Sequence, residues 1–237
     1  MDNQLLQVKN LSKNFDRLPV LKDVTFSLGR GEVLGLVGRQ GAGKSTLLHL
    51  ISGTMSPSAG TIYFDEKPRR FSNRIQAQNL GIETVYQTSG PINRFDINNN
   101  LNWDRELGAQ TARQTSGLVE REDATYNILL GREITKGSVL GIIDWGKMID
   151  ITRDLLEEFD LPPELAREQV RNLSDEQRQV LMLARALYQP CRLLLLDDII
   201  PALSFQRQII LLDKIKKLAA REHLLSLSAM ISSTCSR

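Results

Sequence analysis

The segment Gly38-Arg39-Gln40-Gly41-Ala42-Gly43-Lys44-Ser45-Thr46 constrains this chain more than any other, because it fits G-x-x-x-x-G-K-[ST] in full. Its context matters as much as its letters. Val33-Leu34-Gly35-Leu36-Val37 before it is a nearly continuous apolar run, read as a parallel-sheet strand buried on both faces. Lys44 to Ile51 after it reads as the opening of a helix. Strand, glycine loop and helix together form a phosphate cradle: successive backbone N–H groups turn inward, and the helix adds its positive end. In that cradle Lys44 is expected to reach the β- and γ-phosphates of a nucleotide, and Ser45 to ligate Mg²⁺.

A second acidic feature belongs with the first. Leu193-Leu194-Leu195-Leu196-Asp197-Asp198 is an apolar strand ending in acid, which puts carboxylates at the C-terminal edge of a parallel sheet. Asp197 is expected to hold Mg²⁺, directly or through water, and Asp198 to polarise a water molecule. Strand and helix patterns alternate through the chain. Half-buried strands are expected around Leu5 to Val8 and Val24 to Leu28, and helices over Trp145 to Phe159 and Ser174 to Tyr188. That alternation implies an α/β fold with a mainly parallel sheet. Thr88 to Ser116, rich in Asn, Gln, Arg and Thr, reads as an extended surface insertion.

Composition narrows the function classes. With 237 residues and a net charge of +2, no large basic field is available for nucleic acid, and no aromatic-basic patch is present. The two cysteines, Cys191 and Cys235, fit neither a disulfide framework nor a metal cluster. No apolar run approaches the roughly 20 residues that span a bilayer. The expected location is cytoplasmic, with any membrane role exercised through a partner.

The P-loop, Gln87, Leu173-Ser174 and the acid-ended strand stand in the order found in ABC ATPases, and the chain resembles that family. More narrowly it is similar to the ATPases of ribose/xylose-type sugar importers, on Gly81-Ile82-Glu83-Thr84-Val85-Tyr86-Gln87, Asn127 to Glu133 and Ile143-Asp144-Trp145. The resemblance implies one ATP-binding domain over 1–237, a RecA-like P-loop NTPase core with an N-terminal antiparallel β part. Residues 1–87 and 189–237 form that core, while 88–188 hold the insertion and a helical subdomain ending in the signature helix. It implies ATP and Mg²⁺ as cofactors and Phe15 as a stacking surface for adenine, where the residues alone equally allow a core aromatic. It also implies that Gln87 contacts Mg²⁺ or the attacking water. Ser174 and Gln177 would belong to a signature segment, Asn172 to Gln177, that caps the γ-phosphate bound by an opposite subunit. The partners so implied are a second ATP-binding subunit, identical or not, membrane permease subunits and, indirectly, a sugar-binding protein. The place implied is the inner face of the cell membrane.

Several positions depart from the family pattern. Leu173-Ser174-Asp175-Glu176-Gln177 stands where L-S-G-G-Q is usual, and an acid at a phosphate-facing helix terminus repels phosphate. Asp198 replaces a glutamate, one methylene longer, and Ile199 replaces a proline. The family's strand ending in Ser-His is expected near the end of the chain, yet no histidine follows His223. A shifted reading frame over Ser228 to Ser236 can restore Ser-His-Asp, so the segment from somewhere after Ala220 reads equally as a frameshifted tail or as a native end whose degenerate codons happen to allow that match. These departures favour binding over turnover. The rival reading is a hydrolysis-deficient ABC-like module for which ATP is a structural or switching ligand.

Overall fold

The computed structural model describes residues 4–16, 18–86, 118–136, 142–188, 190–199, 203–220 and 228–234, with side chains of 218–220, 228–230 and 232–234 left aside. The chain divides into two compact units, Met1–Tyr86 with Pro190–Arg237, and Gln87–Gln189.

Among its described residues the first unit carries two four-stranded sheets. A long antiparallel hairpin opens it, β1 (Gln4–Phe15) against β2 (Leu18–Gly29). The alternation visible in sequence covers only part of each strand. Asn10 and Asp23 take left-handed φ values of 48° and 50°, and the pairing register shifts nearby, so bulges break the period-2 pattern that would have revealed the full strands. β4 (Ala59–Phe64) pairs with β1 and with β5 (Lys67–Arg69), giving the order β2-β1-β4-β5.

The turn between β4 and β5 consists of Asp65 and Glu66, both at positive φ (57° and 62°), as a two-residue hairpin loop demands. Neither is glycine, and ion pairs hold the conformation. Asp65 Oδ1 accepts from Arg192 at 2.9 Å and also pairs with Arg30. The hydrogen bond from Arg192 lowers the Asp65 carboxyl below the usual range; partial burial opposes this, and the charges of Arg192 and Arg30 add to the lowering. A carboxyl depressed by folding stabilises above its unfolded value, about 4, and loses that contribution as pH falls through the folded value. Thermal melts below about pH 4 should therefore fall less steeply for Asp65→Asn than for the native chain. Solvent screening keeps the difference within about 1 kcal/mol.

The second sheet is parallel, in the order β3-β8-β7-β6: β3 (Val33–Gly38), β8 (Ser228–Thr234), β7 (Leu193–Asp197) and β6 (Ile82–Tyr86). α1 (Lys44–Ile51) follows β3, α2 (Arg74–Gln78) precedes β6, and α6 (Phe205–Ala220) links β7 to β8. β7 is interior and all five of its residues are buried, as its leucine run predicts. β3 corrects the expectation drawn from a similar run. Among the described residues it is an edge strand paired only to β8, and Val37 is 75% exposed. A continuous apolar run marks a parallel strand, but burial of both faces requires layers packed against each face. Leu47, Leu48, Leu50 and Ile51 of α1 complete one core with Leu5, Leu6 and Val8 of β1 and with Leu193 and Leu195 of β7.

The described residues of the second unit form the helices α3 (Ala124–Leu129), α4 (Trp145–Glu158) and α5 (Asp175–Tyr188), with 3₁₀ turns at Pro163–Arg167 and Val170–Asn172. α4 ends one residue before the expected Phe159, and α5 begins one after Ser174. Asn127 on α3 is fully buried. Its Oδ1 accepts from Val119 N–H at 2.6 Å, and its Nδ2 donates to the carbonyls of Val119 (3.1 Å) and Asp123 (2.9 Å). The expected insertion, Thr88 to Ser116, lies outside the described residues.

Candidate functional site

The loop from Arg39 to Gly43 leaves β3 and enters α1 through two left-handed glycines, Gly41 at φ 79° and Gly43 at φ 86°. Ala42 N–H donates to Arg39 O at 3.1 Å, closing the turn. Gly43 caps α1 without a side chain, so no side-chain acceptor competes for the helix's first N–H groups. A Cβ on Gly43 would lie 2.7 Å from Leu21 Cδ2 and 3.1 Å from Val20 O. Close approach to β2 thus adds to the φ requirement for glycine there.

Lys44 folds back across this turn. Its Nζ donates to Gly38 O at 3.0 Å and Arg39 O at 3.1 Å, which sets the ammonium at the mouth of the loop. Ser45, the next residue, donates from Oγ to Asp197 Oδ1 at 3.1 Å. Thr46 is partly buried behind it, while Arg39, Gln40, Gly41 and Ala42 are exposed. The end of β7 therefore meets the start of α1, joining two segments that are 152 residues apart in sequence. Asp197 is buried at 8% exposure and Asp198 is partly exposed in a left-handed conformation, φ 51°. That backbone, which Asp tolerates better than most residues, turns Asp198 away from the strand direction.

The donor set suits a hard divalent cation. A buried carboxylate and a hydroxyl stand within one coordination shell, and oxygen is the ligand Mg²⁺ prefers. Among the described residues no cluster of three or more His, Cys, Asp or Glu offers a complete protein cage. Two protein oxygens beside an open phosphate cradle are what a cation finished by phosphate and water requires. The free first-turn N–H groups and the Lys44 ammonium likewise suit a polyphosphate.

Phe15 is 43% exposed at the tip of the β1–β2 hairpin, opposite Leu18, so it is not the core aromatic that the residues alone allowed. Leu21 packs on Gly43, so the tip stands about 10 Å along β2 from the phosphate loop. Gln87 lies outside the described residues; its predecessor Tyr86 ends β6.

In the second unit, Ser174 and Gln177 form a reciprocal cap. Gln177 N–H donates to Ser174 Oγ at 3.2 Å, and Ser174 N–H donates to Gln177 Oε1 at 2.8 Å. This is a capping box, and the S-x-x-Q spacing would have predicted it. Asp175 and Glu176 follow in the first turn, where their charges already satisfy the helix dipole. Arg178 fixes the approach to this turn, donating to Val170 O (3.1 Å) and Arg171 O (2.9 Å). Among the described residues, no helix is long and apolar enough to cross a membrane.

The sequence profile described as "ABC transporter" matches residues 21–200, a span that holds the phosphate loop and both acids of the β7 terminus. The chain belongs to the ABC transporter family. A xylose/arabinose import ATP-binding protein of Sulfolobus acidocaldarius is 31% identical over 202 residues, covering 85% of this chain and 68% of that protein. A ribose import ATP-binding protein of Rubrobacter xylanophilus is 30% identical over 200 residues, 84% of this chain but 34% of the relative. The chain thus spans about a third of such longer relatives. Among solved structures, a nucleotide-free ATP-binding cassette from an ABC transporter superposes with a TM-score of 0.71 at 21% identity, over 97% of this chain and 81% of that one. A dimeric cassette bound to ADP and Pi gives 0.70 at 20%, over 96% and 88%. These similarities place the fold as a P-loop ABC cassette, α/β with an antiparallel N-terminal sheet.

Proposed function

We propose that residues 1–237 act as a single ATP-binding domain, the energy-coupling subunit of a monosaccharide importer. The observation that supports this reading is the Ser45–Asp197 contact beside Lys44, which brings a carboxylate, a hydroxyl and an ammonium together from two distant segments. The import relatives supply the cargo class. In this reading Gly38 to Thr46 enclose the phosphates of ATP, with Lys44 on the β- and γ-phosphates, and Ser45 and Asp197 hold Mg²⁺. When bound, ATP supplies a phosphoanhydride whose cleavage is strongly favourable. Asp198 orients the attacking water, Gln87 contacts the same water or the cation, and Phe15 stacks on the adenine. Two cassettes, alike or different, close face to face, with Ser174 and Gln177 of each turned to the other's γ-phosphate. The closure passes to permease subunits served by a sugar-binding protein, at the cytoplasmic face of the membrane.

A hydrolysis-deficient module is the second reading, and the α5 terminus favours it. Ser174 and Gln177 already satisfy one another, and Asp175 and Glu176 occupy the helix end with negative charge. An ATP titration run beside a turnover assay separates the two. The expected result is saturable Mg²⁺-dependent binding with slow turnover that rises when a cassette with an intact L-S-G-G-Q segment is added. Tight binding with no turnover in that mixture sinks the importer reading and leaves the module.

A further inference from the structure

We propose that Lys13 is a positioning residue for the nucleotide base, holding the Phe15 ring as a one-sided stacking platform; the inference rests on the ATP reading of the phosphate loop. The Lys13 ammonium sits 5.2 Å from the centre of the Phe15 ring, within cation–π range. A second contact fixes it there, since Nζ also donates to Ser56 O at 2.8 Å. The segment carrying Ser56 is itself tied to β1. Ser58 N–H donates to Ser12 O at 2.9 Å, and Asn14 N–H donates to Ser58 Oγ at 3.0 Å. The ammonium is therefore clamped between the ring and a backbone carbonyl anchored on both sides of Lys13.

This arrangement has a consequence for what the ring can bind. Phe15 keeps 43% exposure while the ammonium occupies one side, so area remains for a second flat partner. An exposed phenylalanine at a hairpin tip would otherwise sample several rotamers, and a base stacking on it would bear the cost of ordering it. A cation on one face also draws π-electron density toward itself. The opposite face then suits an electron-rich purine better than it would unaided.

The test compares Kd for ATP with Kd for inorganic tripolyphosphate, both with Mg²⁺, in the native chain, Lys13→Met, Lys13→Arg and Phe15→Leu. Lys13→Met should weaken ATP about two- to fivefold and leave tripolyphosphate unchanged. Lys13→Arg, which can still stack and donate, should recover most of the loss. Phe15→Leu should weaken ATP about tenfold and make a second change at Lys13 silent. Equal losses for both ligands in Lys13→Met would make Lys13 a phosphate contact and overturn the proposal. So would an unchanged ATP affinity in that variant while the native chain binds ATP. A native chain that binds no ATP removes the ATP reading as well.

Discussion

Replacing Lys44 by alanine is expected to weaken ATP binding about a hundredfold, with little change in thermal stability. The ammonium makes its two hydrogen bonds to the carbonyls of Gly38 and Arg39, within the loop it serves, and to no core group among the described residues. Its loss removes a charge-assisted contact to phosphate worth about 3 kcal/mol. Lys44→Arg should recover little, because a planar fork cannot occupy the position of a point charge between those carbonyls. Calorimetric titration with ATP checks both variants. Native affinity in Lys44→Ala would place the phosphates elsewhere.

The largest stability effect is expected at Asn127. Its side chain satisfies the backbone of Val119 in both directions and the Asp123 carbonyl, all beside a fully buried position. Alanine leaves the Val119 N–H with no amide to receive it and opens a small cavity. About 3 kcal/mol should be lost. Asn127→Asp should cost more, since a buried carboxylate would face the three carbonyls that the amide now donates to. Urea unfolding measures the loss, and limited proteolysis should show new cleavage between residues 118 and 136. Unchanged unfolding in Asn127→Ala would mean that the Val119–Asp123 loop is held by other contacts.

Much of the nucleotide-binding half was legible because its signals are local. A glycine loop, the strand before it and the helix after it occupy fewer than two dozen consecutive residues, and the helix opens at Lys44 as read. The acid-ended strand was legible for the same reason, down to Asp197. What the sequence concealed was non-local. β3 and β7 have similar apolar runs, yet among the described residues only β7 of the two has a neighbour on each side, and nothing in either run announces that difference. The bulges at Asn10 and Asp23 hid half of the hairpin by breaking its alternation. Asn127 entered the reading only through a family likeness. Its partners lie in the segment before α3 and become visible only once the chain is folded. The capping box at Ser174 is the opposite case: its S-x-x-Q spacing lies wholly within residues 174–177 and is visible without the fold.

The sheet order sets a timetable for assembly. β3, which launches the phosphate loop, and β7, which ends in Asp197, are not paired to each other; β8 lies between them and is hydrogen-bonded to both. A strand from residues 228–234 must therefore dock before Ser45 and Asp197 can be held at 3.1 Å. The nucleating parts are made early, but their alignment waits on a late, long-range pairing, the kind of step that slows folding and leaves apolar strands uncovered meanwhile. During synthesis on the ribosome, β1 and β2 can form their hairpin at once. The Ser45–Asp197 contact cannot form until residues 228–234 have emerged.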